Sequence, residues 1–319
     1  MNGPDDELYL GADGTVLVGE HGSGHLAQVG GAIRFKRLPQ VVPEAEGIAQ
    51  IGTTIYVADQ FHARVVALSG NSVRTIIQLR PDPAGLNLDG IASNGSYLVI
   101  PDSPHGTVLF VDTSGHVLAR QGGFNRPAGV WANATGQGGL YLVADENANA
   151  VYELHNAGGF SKLAGNLPGV DDVVRDFDGH VLVTLPGLGV VRDVTAGTNI
   201  ARGLRNPQGL GFDGARNLLV TESDAGRLDL VVKTFVLEVP VPAVRLSPGQ
   251  GVCLGILRAP GFAAPLSIEQ ITGGSVAVQP SDAPAFEVIP DQCTLAVCTV
   301  SVVVTSSVGR EFAYFTYRD

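Results

Sequence analysis

Carboxylates return in this chain at one phase of a repeated phrase. Glu46 and Asp89 open acid-Gly-apolar steps, Asp171 an acid-acid-apolar step and Glu7 an acid-apolar step, and Ala128 and Gln208 hold the same place in two further copies. If the copies face one axis, these carboxylates and one amide meet at a channel mouth. Like charges gathered there either keep protons at raised pKa or take a cation between them. Hard oxygen donors favour Ca²⁺ over Zn²⁺ as that divalent cation. The expected ligands are therefore Glu7, Glu46, Asp89, Asp171 and Gln208. A second layer follows the next apolar run of each copy: Glu20, Asp59, Asp102, Asp145, Thr184 and Glu222. A carboxylate there can instead tie down its own loop by an Asx-type bond. His21, His62 and His105 lie in these loops in three consecutive copies. An imidazole so placed either caps its turn, moves a proton, or joins others on zinc. His62 and His105 each follow their acid by three residues and are the expected proton carriers.

What must position these groups is a set of short strands. The openings Glu7-Leu8-Tyr9, Glu46-Gly47-Ile48, Asp89-Gly90-Ile91, Ala128-Gly129-Val130, Asp171-Asp172-Val173 and Gln208-Gly209-Leu210 recur about every 40 residues. Each precedes a second apolar run, such as Ile55 to Ala58 or Tyr141 to Ala144, and then a third, such as Val108 to Val111. A period of this length built from strand-sized pieces predicts a β-propeller. The sixth copy is expected to close with Thr234 to Val239. After that the stiff Pro240-Val241-Pro242 joint ends the period. Alternating segments at Val252 to Leu257, Ser275 to Val278 and Thr299 to Thr305 then predict a small sandwich. The expected fold class is all-β: a six-bladed β-propeller over 5–239, followed by an immunoglobulin-like β-sandwich over 244–319.

Composition narrows the functions. Gly at 42 and Pro at 19 among 319 residues suit many strands joined by tight turns. A formal net charge of −11 opposes binding to nucleic acid or to anionic lipid, both of which need clustered Lys and Arg. No uncharged apolar run is long enough to span a membrane. Met1 to Asp6 lacks the basic and apolar parts of a leader. The expectation is a secreted or periplasmic protein whose leader is absent, with the cytoplasm as the alternative. Cys293 and Cys298 can close a small loop, one of them can cross to Cys253, or all three can stay reduced. Asn94-Gly-Ser and Asn133-Ala-Thr match glycosylation acceptors, a pattern common by chance. The apolar loop Thr184 to Gly189 suits a cleft wall or a contact with the C-terminal domain. Oligomeric state is not written in these features.

Asn206-Pro207-Gln208-Gly209-Leu210 and the run Tyr56-Val57-Ala58-Asp59 with its later Arg64-Val65 resemble the NHL repeat and the SMP-30 (gluconolactonase-like) six-bladed propellers. The resemblance covers about residues 5 to 239. It implies a metal in the central channel held by Glu, Asn and Asp, yet this chain has no Asn at the ring positions and has Ala128 in one of them. It implies a metal-dependent hydrolase of lactonase or esterase type acting at the channel mouth. The rivals are a non-catalytic propeller gripping a protein or small ligand on its top face, and a lyase of the amidating or streptogramin-cleaving type. No Gly-x-Ser-x-Gly elbow, P-loop, His-Glu-x-x-His or Cys-x-x-Cys occurs.

Overall fold

Pro4–Leu10, Thr15–Glu20, His25–Gly30 and Arg34–Val41 form an antiparallel meander, the first of a series. A computed structural model describes residues 1–319 except 12, 31–33, 86, 134–139, 156–157, 240–243, 248, 278 and 319. Among the described residues, six such sheets, this one included, run in chain order before Thr234, and helix is confined to two 3₁₀ turns. The first strands of the later sheets are Ala45–Ile51, Ala92–Ser93, Pro127–Ala132, Val173–Arg175 and Pro207–Phe212. Each first strand touches that of the next sheet, and the sixth touches the first, so they close a ring. This is the arrangement of a β-propeller.

The reason lies in the second strands. Thr15–Glu20, Leu98–Asp102, Tyr141–Asp145, Val181–Leu185 and Leu218–Glu222 are buried at every position. A strand covered on both faces reads as a continuous apolar run rather than an alternation. Leu17 packs with Val57 between sheets one and two, and Leu98 with Tyr56 between two and three. Val143 packs with Val99, Leu142 with Val183, and Leu182 with Val220 across the next three gaps. Val16 and Val18 meet Leu219, which closes the circle from sheet six to sheet one.

The end of the series departs from expectation. Sheet six has three strands, Pro207–Phe212, Leu218–Glu222 and Arg227–Val231. Phe235–Glu238, expected as its fourth, pairs instead with Val252–Arg258 in a separate sheet. Phe235 is fully buried in that later core, beside Leu254 and Phe315, and this burial decides its partner. The sheet runs Phe235–Glu238, Val252–Arg258, Ala285–Pro290, Gly274–Val276; a facing one runs Val244–Arg245, Arg310–Arg318, Cys298–Thr305, Ser267–Thr272. Cys293 and Cys298 form a disulfide, and Cys253 is a free, exposed thiol. The Pro240-Val241-Pro242 joint and Val278 lie outside the described residues. This pair of sheets docks through Arg310 N–H to Gly214 O (2.9 Å) and Tyr314 O–H to Asp13 O (2.9 Å). Asp13 and Gly214 sit in turns between first and second strands, at the end of the ring opposite Pro4 and Glu20. The mouth is left open.

Candidate functional site

Each full-length first strand carries a register shift near its start. Pro4 pairs with Glu20 and Glu7 with Val18; Ala45 pairs with Asp59 and Ile48 with Val57; Pro127 pairs with Asp145 and Val130 with Val143; Pro207 pairs with Glu222 and Leu210 with Val220. Two residues bulge out between the paired ones, and a bulge re-aims side chains off the ladder. The bulged pairs are Asp5-Asp6, Glu46-Gly47, Ala128-Gly129 and Gln208-Gly209. The register corrects one expectation: Glu7 is the equivalent of Ile48, Val130 and Leu210, and Asp5 holds the ring position. The slip arises because Asp6 stands where four of the other five copies have Gly. The Pro4 step, shared with Pro127 and Pro207, carries the correct phase.

Gly is needed at the second bulged position because neighbouring first strands come into backbone contact there. Gly47 N–H donates to Asp89 O (3.1 Å) and Gly129 N–H to Asp171 O (2.8 Å). A Cβ at Gly209 would lie 2.7 Å from Asp5 O, a backbone atom that cannot swing away. In the two copies with Asp, the carboxylate takes over the joining. Asp6 Oδ2 accepts the amide of Ile48 (3.1 Å), and Asp172 Oδ2 accepts that of Leu210 (2.9 Å), each from the next sheet round the ring. Glu7 has no such use. It is 5% exposed, and both its carboxyl oxygens are buried without a hydrogen-bond partner. It faces the lower channel beside Leu8, Ile48, Trp131 and Leu210.

Above them the first bulged residues surround a cavity of about 290 Å³. Asp5, Glu46, Asp89, Asp171 and Gln208 all line it, so four of the five expected ligands do converge. Burial, then the charge of Glu46, pushes Asp5 well above the carboxylate range; burial, then Asp5 and Asp89, does the same to Asp171. Burial raises Glu46 to about 8, with Asp89 and Asp171 adding to it. Asp89 is raised less, to about 6, because the guanidinium of Arg126 opposes its burial. Arg126 donates to Asp89 Oδ2 (2.8 Å) and Glu146 Oε2 (2.7 Å), and Gln60 donates to Asp89 Oδ1. Glu46 Oε1 meets Nδ1 of His21, whose side chain is 42% exposed and lines the cavity. This pair holds an imidazole by one nitrogen and leaves Nε2 for other partners, the geometry that orients a general base.

His62 and His105 take the other option open to them. His62 Nδ1 lies 3.0 Å from Asp59 and His105 Nδ1 2.6 Å from Asp102, each within its own turn. Neither lines the cavity. Their three-residue spacing is that of a loop cap, whereas His21 directly follows Glu20 and so turns towards the next sheet. The second-layer acids serve the loops as well: Asp145 accepts three backbone amides, from Asn125, Arg126 and Ala148. Arg126, Gln60, Glu146 and Asp5 line the site without having been expected there, and His21, named with His62 and His105 as a candidate, is the histidine that reaches it. Asp5 and Arg126 adjoin the Pro that opens a bulge, and His21, Gln60 and Glu146 each directly follow the acid that ends a second strand. The donors do not fit a ready-made metal centre. Among the described residues, no three His, Cys, Asp or Glu side chains gather as a metal-holding group, and Glu46 and Asp89 are bound to His21, Arg126 and Gln60. Thr184 is buried, and Pro186–Leu188 forms a 3₁₀ turn with Leu188 54% exposed.

No known family profile and no curated protein matches the chain. Solved structures do. A calcium-binding protein, regucalcin from Agrobacterium tumefaciens, aligns at TM-score 0.56 and 19% identity over 69% of this chain and 82% of that one. A streptogramin B lyase aligns at TM-score 0.53 and 14% identity over 70% and 78%. A catalytically inactive His-to-Ala variant of virginiamycin B lyase from Staphylococcus aureus, with quinupristin, aligns at TM-score 0.54 and 14% identity over the same shares. At these identities the likeness is one of fold alone.

Proposed function

We propose that the chain is a six-bladed propeller with a C-terminal immunoglobulin-like sandwich beginning near Thr234, and that its mouth performs acid–base chemistry on a small uncharged or cationic substrate. The carrying observation is His21, held by Glu46 at the wall of a cavity ringed with buried carboxyls. In a hydrolysis of lactone or ester type, His21 Nε2 takes a proton from water as the oxygen adds to the carbonyl. Arg126 lines the same cavity, bound to Asp89 and Glu146, and steadies the developing oxyanion. A carboxyl that keeps its proton, Asp171 or Asp5, returns one to the leaving oxygen. The surplus of acid over base disfavours anionic substrates. A divalent cation is what the resemblance implies, and hard oxygen donors put Ca²⁺ ahead of Zn²⁺; regucalcin's description as calcium-binding supports it, but Glu46 and Asp89 are engaged by His21, Arg126 and Gln60. No step is assigned to it.

Elimination is the second reading, favoured because one structural neighbour loses activity when a single His becomes Ala. The same base would then take a proton from carbon. The disulfide supports an oxidising compartment, secreted or periplasmic. A panel of lactones and aryl esters, run with the protein and its His21→Ala variant, tests the proposal. Turnover should appear and fall by about 10²–10⁴-fold in the variant. Turnover untouched by the change removes His21 from the chemistry. Binding without turnover of any substrate leaves the non-catalytic propeller.

A further inference from the structure

Five of the six ring sheets have a fourth, outermost strand, and sheet six ends at its third. Arg227–Val231 is therefore an open edge among the described residues, with a row of backbone N–H and C=O groups facing outward and no strand to pair with. The edge is accessible: Leu230 is 40% exposed and the Arg227 side chain 56%.

The sister sheets show what belongs there. Asp229 pairs with Val220, and the equivalent third-strand residues are Ala27, Val66, Leu109, Tyr152 and Arg192. Their fourth-strand partners are Arg37, Thr75, Arg120, Lys162 and Asn199. Three of these five are basic, and in sheet six the residue facing that position is an acid. In sheet one the fourth strand also supplies the counter-charge to the buried loop acid, with Arg37 donating to Glu20 (2.9 Å). In sheet six one guanidinium serves two carboxylates: Arg227 Nε lies 2.7 Å from Glu222 and 3.0 Å from Asp229. A positive charge is missing where a strand is missing.

We propose that Arg227–Val231 is a docking edge for an extended segment of a partner protein, which adds as the fourth antiparallel strand with a Lys or Arg opposite Asp229. The seat lies on the outer rim and is separate from the mouth.

The probe is a blocked synthetic peptide of residues 116–123, the protein's own third-sheet outer strand containing Arg120, with hydrogen exchange of the whole protein as readout. In free protein, outward amides of 227–231 should exchange at least tenfold faster than those of the paired third strand 64–69. Millimolar peptide should slow them. An analogue with Glu for Arg120 should not, and Asp229→Asn should weaken the effect about twofold to fivefold while leaving melting unchanged. Slow exchange in the free protein, equal protection by both peptides, or protection by neither overturns the proposal. Protection that grows with protein concentration alone also overturns it, because a second copy of the chain then fills the seat.

Discussion

At the scale of single residues, the chemistry of the mouth depends on which carboxyl sits in which register. Glu46 must be ionised to accept a proton-bearing Nδ1 from His21, and its pKa is raised to about 8 by burial. Activity should therefore climb through about pH 8. In Glu46→Gln that limb should vanish from the pH–rate profile, with kcat/KM reduced at every pH. Glu7 makes the opposite prediction. Its buried oxygens have no partners, while its equivalents Ile48, Val130 and Leu210 are apolar. Glu7→Leu should raise stability by about 1–3 kcal/mol in urea unfolding at neutral pH. A loss of stability would mean that Glu7 is satisfied by something bound in the channel. Glu46, Asp89, Asp171 and Gln208 were legible from sequence because repeat phase sets direction. Glu7 was misplaced because acid-acid-acid at Asp5-Asp6-Glu7 offers no glycine to fix the phase. His21 was set aside for His62 and His105 because side-chain direction at a loop start is decided by the bulge.

At the scale of elements, the ring is held by bulges that bring neighbouring first strands to backbone distance. A Cβ at Gly129 would lie 2.5 Å from both Asp171 O and Asp172 Cα, atoms of one backbone unit. Gly129→Ala should cost about 1–3 kcal/mol, read from the urea midpoint at unchanged m-value. Alanine at Gly179, whose added Cβ meets nothing within 4 Å but whose φ is +88°, should lose stability through backbone strain alone. The five complete sheets were legible because buried second strands read as apolar runs bounded by turn residues. The fate of Phe235–Glu238 was not. The same four residues suit a fourth strand or a sandwich strand equally, and only the burial of Phe235 against Leu254 and Phe315 separates them.

At the scale of the molecule, the buried acids link folding to pH. Their folded-state pKa values lie above the unfolded ones, so the folded state binds more protons between the two. Stability then falls as pH rises through that window. With Glu46 at about 8 and Asp89 at about 6, the loss runs from about pH 4 to pH 8. The unfolding free energy should be larger at pH 5 than at pH 8, by about a few kcal/mol at most after the other groups are counted, and the melting temperature correspondingly higher. A melting temperature that rises over this range would show that the carboxyls are ionised and neutralised in the folded protein, as a resident cation would do. The overall architecture was legible because it repeats; the chemistry was less so, because the residue that follows the second-strand acid changes type from copy to copy, His21 in one, Gln60 in the next and Glu146 in another.

The most direct test of the central claim is a double-mutant cycle on His21→Ala and Glu46→Gln, read as kcat/KM on the lactone or ester the protein turns over. If the two side chains act as one base, each single change lowers the rate severely and the double variant is no worse than the poorer single one within about threefold. Losses that multiply, or a His21→Ala protein with full activity, would contradict it.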